Sequence, residues 1–207
     1  MGYGNDSENT LPTTFFKING LKKGSTEIFF EGKEKVDGSY QVIKSKPSKL
    51  FGHLTSVSIK EFEFENETHK ILRLVLDSAT DRVILEGGFS NVMVGLINTL
   101  AGNEKPIDKL ELGVYISKKE YPSMSIAIDG GEWKDNKWKF DYTKDLKPLI
   151  EETKDKKGKV VSTDKLIKFL CGVVESKEFQ DNIKGVAPVA HPISVDAPVE
   201  EGGDLPF

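Results

Sequence analysis

The chain has 207 residues, with 29 Lys and Arg against 33 Asp and Glu, one Cys and three His. That length suits one domain with appendages and buries a core without covalent staples. A single Cys excludes an internal disulfide framework, one Cys with three scattered His excludes a structural zinc site of the usual ligand count, and no apolar run approaches the roughly 18 residues of a membrane span.

The charge is unevenly placed. Residues 181–207 hold five acids and one Lys, which accounts for the whole net charge of -4, whereas residues 15–60 hold nine Lys against four acids. The opening MGYGNDSENTLPTTFF lacks the basic-then-apolar layout of a signal peptide, which predicts a cytoplasmic protein, the host cytoplasm if the chain is phage-encoded.

Residues 1–14 are polar and rich in Gly, Asn and Ser, and are expected to be a disordered N-terminus. From Phe15 to Gln41, β-type runs are broken by Asn19-Gly20, Gly24, Gly32 and Asp37-Gly38, the signals of an N-terminal hairpin. Leu54 to Glu65 alternates, but Val57 and Ile59 take one parity and Phe62 and Phe64 the other, so a bulge is expected near Lys60-Glu61. His69–Asp77 is a second strand with Leu72, Leu74 and Leu76 inward, and Arg82–Glu86 is a third. Ser90 caps a helix whose Val92, Met93, Leu96, Ile97 and Leu100 fall at helical spacing, closed by Gly102. Leu110, Leu112, Val114 and Ile116 alternate as a fourth strand, and Met124, Ile126 and Ile128 as a fifth. Trp133–Tyr142 is expected to form a hairpin around Asp135-Asn136 that sets Trp133 opposite Trp138. Residues 144–154 and 163–180 are expected as helices on either side of a Lys-rich turn, with Thr163 as a cap, and residues 181–207 as a flexible acidic tail.

Strand, strand, strand, helix, strand, strand, with a sharply bent first strand, is the layout of the five-stranded oligonucleotide-binding barrel. The expected fold is therefore mainly β: an OB-fold-like barrel with an extra N-terminal hairpin, C-terminal helices and a tail. Residues 15–180 would be the binding domain and 181–207 the tail.

Catalytic motifs are absent. There is no phosphate loop, no G-x-G-x-x-G, no H-E-x-x-H and no G-x-S-x-G. Glu61, Glu63, Glu65 and Glu67 share a parity, but no His or Asp/Asn-Gly loop completes a metal site, and Cys171 lies beside an apolar stripe as a packing residue. No cofactor, no metal and no catalysis are expected. Lysines are instead interleaved with aromatics: Lys44, Lys46 and Lys49 before Phe51, Lys60 with Phe62 and Phe64, and Lys134, Lys137 and Lys139 among Trp133, Trp138 and Phe140. Tyr115 lies on the parity opposite its strand's apolar row. Single-stranded nucleic acid is held by this mixture, lysines against phosphates and rings against bases. The candidate contacts are Lys44, Lys46, Lys49, Phe51, Lys60, Phe62, Tyr115, Trp133, Lys134, Lys137, Trp138 and Lys139.

The chain ends Glu200-Glu201-Gly202-Gly203-Asp204-Leu205-Pro206-Phe207, after a Pro- and Gly-containing stretch. This ending resembles the acidic tails of bacterial and phage single-stranded DNA-binding proteins, which finish in acids, an aliphatic residue, Pro and a terminal Phe. Here the acids are fewer and interrupted by Gly202-Gly203. The resemblance covers about the last eight residues, and the body departs from the bacterial proteins in the direction of phage ones. It implies a protein that coats single-stranded DNA during replication, recombination or repair. Asp204, Leu205, Pro206 and Phe207 would be a docking tip for replication and recombination proteins. Two other readings fit the residues: an accessory module whose body binds protein, and a metal-dependent nuclease using the acidic strand face.

Overall fold

The computed structural model describes residues 11–36, 39–155 and 158–183. Its backbone is one eight-stranded mixed sheet, in the spatial order β3-β2-β1-β6-β5-β4-β7-β8, with a separate two-stranded hairpin. The strands are β1 (Thr13–Asn19), β2 (Phe29–Val36), β3 (Ser39–Val42), β4 (Lys49–Phe64), β5 (Glu67–Asp77), β6 (Arg82–Gly87), β7 (Lys109–Ile116) and β8 (Pro122–Ile128). The hairpin is β9 (Glu151–Asp155) and β10 (Gly158–Ser162), and the helices are α1 (Asn91–Gly102), α2 (Asp164–Glu175) and α3 (Lys177–Ile183).

The 16-residue β4 organises the sheet through its length. The first part of β4 pairs with β7 (Leu50 opposite Leu112) and the rest with β5 (Val57 opposite Leu74). The ladder with β5 shifts register between Leu54 and Ser56. An extra residue there reverses the parity, so Leu50 and Leu54 point inward before it and Val57 after it. The bulge thus sits at Thr55, not near Lys60-Glu61. Phe62 and Phe64 keep the parity opposite Val57 simply because they are outer-face residues, and both are exposed.

Inward rows from β4 to β8 (Leu72, Leu74 and Leu76; Leu110, Leu112 and Val114; Ile126) meet the apolar side of α1 in one core. Each fully buried Leu contributes about 2 kcal/mol. Ser90 caps α1, its side chain accepting from the Met93 N–H. The C-terminal helices belong to the same core through Leu166, Leu170, Val174, Phe179 and Ile183. The Gln180 amide donates to the Val57 and Val174 carbonyls and so ties α3 to β4.

Three further expectations are corrected. The sheet is open and not a closed barrel: β1 pairs in parallel with the edge of β6 (Phe16 opposite Leu85), and among the described residues β8 pairs with β7 only. The N-terminal strand occupies the edge that a closing strand would need. Residues 144–154 are not a helix. A π turn at Tyr142–Leu146 and a 3-10 turn at Lys147–Leu149 lead into β9. Pro148 breaks the helical run, and β-branched Val160 and Val161 suit the strand that pairs back. Thr163 occupies the N-cap position of α2 without a side-chain bond. The third correction concerns the tryptophan segment, below. No helix among the described residues is long and apolar enough to cross a membrane.

Candidate nucleic-acid interface

Trp133 and Trp138 do not face each other across a hairpin. Trp133–Asp135 is a single 3-10 turn, and the chain then runs along α1 without strand pairing. Three contacts hold it. The buried Asn98 side chain donates to the Phe140 carbonyl at 2.9 Å and accepts from the Phe140 N–H at 2.8 Å. The Asn136 amide donates to the Ile126 carbonyl on the free edge of β8. Phe140 packs edge-on against Phe169 of α2, with ring centroids 5.0 Å apart. The last residue of α1 must also be small, since a β-carbon at Gly102 would fall 2.2 Å from the Lys137 carbonyl oxygen.

This clamp fixes the backbone and leaves the indoles outside. Trp133 and Trp138 are each 61% exposed and Tyr115 is 43% exposed. All three, with Lys134, line one open cleft of about 400 Å³ between α1 and the β8 edge. Ser123, Met124, Asn136 and Thr99 complete its walls. Since Asn136 takes the Ile126 carbonyl on the side away from β7, ladder alternation turns the Met124 backbone N–H and C=O the same way, towards the cleft.

The outer face beside the cleft carries little bulk. Cross-strand rows there read Phe51, Glu111 and Ala127; then Lys49, Gly113 and Ser125; then Tyr115 and Ser123. Phe51, 71% exposed, lies four β7 residues from Tyr115, roughly 13 Å at about 3.3 Å per residue. Between them runs a lane of Gly, Ser and Ala. Gly113 keeps it shallow, since a β-carbon there would lie 2.6 Å from the Ser125 hydroxyl. Phe51 also borders a second cleft of about 610 Å³ floored by Gly52, Gly130 and Gly131.

The structure therefore brings Tyr115, Trp133, Lys134 and Trp138 together, with Phe51 and Lys49 along the same face. Lys60 and Phe62 stand apart, on the hairpin formed by the ends of β4 and β5. There Phe62 stacks on His69 at 5.4 Å. Lys44 and Lys46 lie in the loop before β4, with Lys46 over the Phe29 ring at 4.3 Å.

Most of the candidate lysines are already paired. Lys46 lies 3.7 Å from Glu27, Lys49 2.6 Å from Glu111, Lys60 3.5 Å from Glu86, Lys134 2.6 Å from Glu132 and Lys139 2.9 Å from Glu178. The hydrogen bond from Lys139, more than its charge, holds the Glu178 carboxyl below its ordinary value. Such exposed pairs are worth at most about 1 kcal/mol, so phosphate can take the lysine in exchange. Burial pushes the Cys171 thiol up, which fits its packing role. Among the described residues no group of His, Cys, Asp or Glu could hold a metal ion, and the Glu61–Glu67 run is broken by a hairpin turn at Glu65-Asn66, both with positive φ. His191 and the tip Asp204–Phe207 lie outside the described residues.

The sequence reading missed Asn98, and it named Gly102 only as a helix end and Asn136 only as a turn residue. Asn98 had a visible signal, a polar residue inside the apolar stripe of α1. Comparison with protein-family models, with curated proteins and with solved structures finds no match for this chain.

Proposed function

We propose that this chain is a single-stranded DNA-binding protein that coats DNA with low sequence preference and recruits replication and recombination proteins through Asp204–Phe207. One observation carries the reading: two half-exposed tryptophans and an outward tyrosine converge with Lys134 on one open cleft. Exposed rings give bases a face to stack on, and base stacking is worth about 1–3 kcal/mol per ring. The long bent β4, shared between β5 and β7, and the helix between β6 and β7 support an OB-like core that the N-terminal strand keeps open. The strand would enter at Phe51, cross the Gly113–Ser125 lane, and stack on Tyr115, Trp133 and Trp138. Lys44, Lys46, Lys49, Lys134, Lys137 and Lys139 would meet phosphates. The tail supports the reading by its sequence alone.

Titration with oligo-dT, followed by tryptophan fluorescence at several salt concentrations, tests this. The expected result is quenching by the single strand and not by duplex. With up to about six phosphates neutralised, one for each of these lysines, log K should fall with log salt at a slope as steep as about -4. Absence of quenching and of a mobility shift with single strand overturns the reading.

A further inference from the structure

The hairpin at the ends of β4 and β5 has no role in the cleft, and its chemistry is two-sided. Residues 60–68 are all exposed, so the hairpin runs past the core as an arm. On its outer face Phe62 stacks on His69 at 5.4 Å, and Phe64 lies 6.2 Å from the same ring. Glu67 stands opposite Phe64 on that face and Glu65 lies at the turn beyond it, while Glu63 and Glu61 take the other face, where Lys70 holds Glu61 at 2.8 Å. The carboxylates of Glu65 and Glu67 beside the rings repel a phosphate backbone. The arm therefore suits a basic, partly apolar protein surface better than nucleic acid.

The chain itself carries such a surface. The outermost strand, β3, is wholly exposed, and its Tyr40 and Val42 stand on the outer face directly opposite Lys35 and Lys33 of β2. Lys44 follows in the next loop, exposed. The far side of β3 pairs with no strand among the described residues. Aromatic-with-acid on the arm thus complements apolar-with-lysine on the edge. The two cannot meet within one molecule. Strand order places β3 four strands from β5, roughly 19 Å at about 4.8 Å per strand.

We infer that the β4–β5 arm of one copy docks on the β3 edge of a second copy. Two different patches make a heterologous contact, and repetition of it gives a head-to-tail row of molecules. The row needs no nucleic acid, so it stands or falls separately from the DNA-binding reading. If that reading also holds, the row sets neighbouring copies side by side along a strand.

Sedimentation velocity of the full chain without DNA, over a range of concentration and salt, tests this. The expected result is association that grows with concentration, goes beyond a dimer and weakens as salt rises. E65K/E67K and K33E/K35E, each checked for folding by circular dichroism, should each weaken association at least about tenfold at low salt. An equimolar mixture of the two should restore it, because each then offers the charge the other lacks. A strictly monomeric wild type, a dimer that grows no further, association unchanged in both variants, or a mixture that stays monomeric overturns the inference. So does a loss of oligo-dT affinity in F62A/F64A with self-association unchanged, which would assign the arm to DNA.

Discussion

The outer face of the eight-stranded sheet is built in two ways. Over β5, β6, β1 and β2 it is latticed with cross-strand ion pairs. Arg73 and Lys60 both reach Glu86, Arg82 clasps Asp77 with two hydrogen bonds of 2.8 Å, and Lys17 meets Glu31 at 3.1 Å. The charges of these pairs are spent on one another, while Lys33 and Lys35 lie apart beside the β3 edge, and the 5%-exposed Asp77 is fully engaged. Over β7, β8 and the first part of β4 the face is a lane of small residues with Phe51 and Tyr115 at its ends, the Lys49–Glu111 ion pair beside it, and His53 against Asp108 at 2.7 Å beyond Phe51. The same sheet thus offers a closed surface on one side and an open, ring-edged lane on the other. A flat ligand with a phosphate backbone has somewhere to lie only on the second.

The largest effect should come from the cleft. Trp133→Ala, Trp138→Ala and Tyr115→Ala each remove a stacking ring without touching the core, and each should lower oligo-dT affinity about 5- to 150-fold by fluorescence anisotropy, with thermal stability little changed. Replacing Phe15, whose ring packs edge-on against Tyr40 on the ion-paired side, by Ala should not lower affinity. Equal losses at both places would break the division of the face.

Gly102→Ala tests whether the clamp, and not the rings alone, makes the cleft. The new methyl meets the Lys137 carbonyl, so the segment must lift off α1 at a cost of about 1–3 kcal/mol. Oligo-dT affinity should fall with both indoles still present, and their emission should shift in the free protein. A variant of normal affinity would mean that the tryptophans bind independently of their anchorage.

The strands were legible because burial on one face leaves a parity. Leu110, Leu112 and Val114, and then Met124, Ile126 and Ile128, alternate as they pack. Tyr115 stood out by the same logic. Parity misled in β4, where the apolar Phe62 and Phe64 looked like core residues that had changed side. Their rings are outside, and the true bulge at Thr55 is marked instead by the switch of parity from Leu50 and Leu54 to Val57 and Ile59. Trp133–Phe140 was misjudged because Asp135-Asn136 resembles a hairpin turn. What shapes that segment is Asn98, more than 30 residues earlier in sequence, and no local pattern records such a contact. The open sheet was hidden for a similar reason, since the parallel pairing of β1 with β6 joins segments that local periodicity treats separately.

The finest test of the two-sided face compares two carboxylates. Glu111 holds Lys49 in the middle of the lane, and Glu86 holds Arg73 and Lys60 on the closed side. Glu111→Gln frees Lys49 where a phosphate would pass. Affinity for oligo-dT should rise by a few-fold at low salt, and the salt slope should steepen by about 0.7, the share of one more phosphate on a single strand. Glu86→Gln also removes one negative charge, so a change in net charge alone predicts the same gain. A local lane predicts otherwise: unchanged affinity and slope, with a stability loss of up to about 1 kcal/mol from the broken cross-strand pairs. Only the difference between the two variants measures the lane, because long-range steering by net charge cancels between them. If Glu86→Gln strengthens binding as much as Glu111→Gln, phosphates do not distinguish the two halves of the sheet, and the path from Phe51 to Tyr115 is wrong even if the cleft binds DNA.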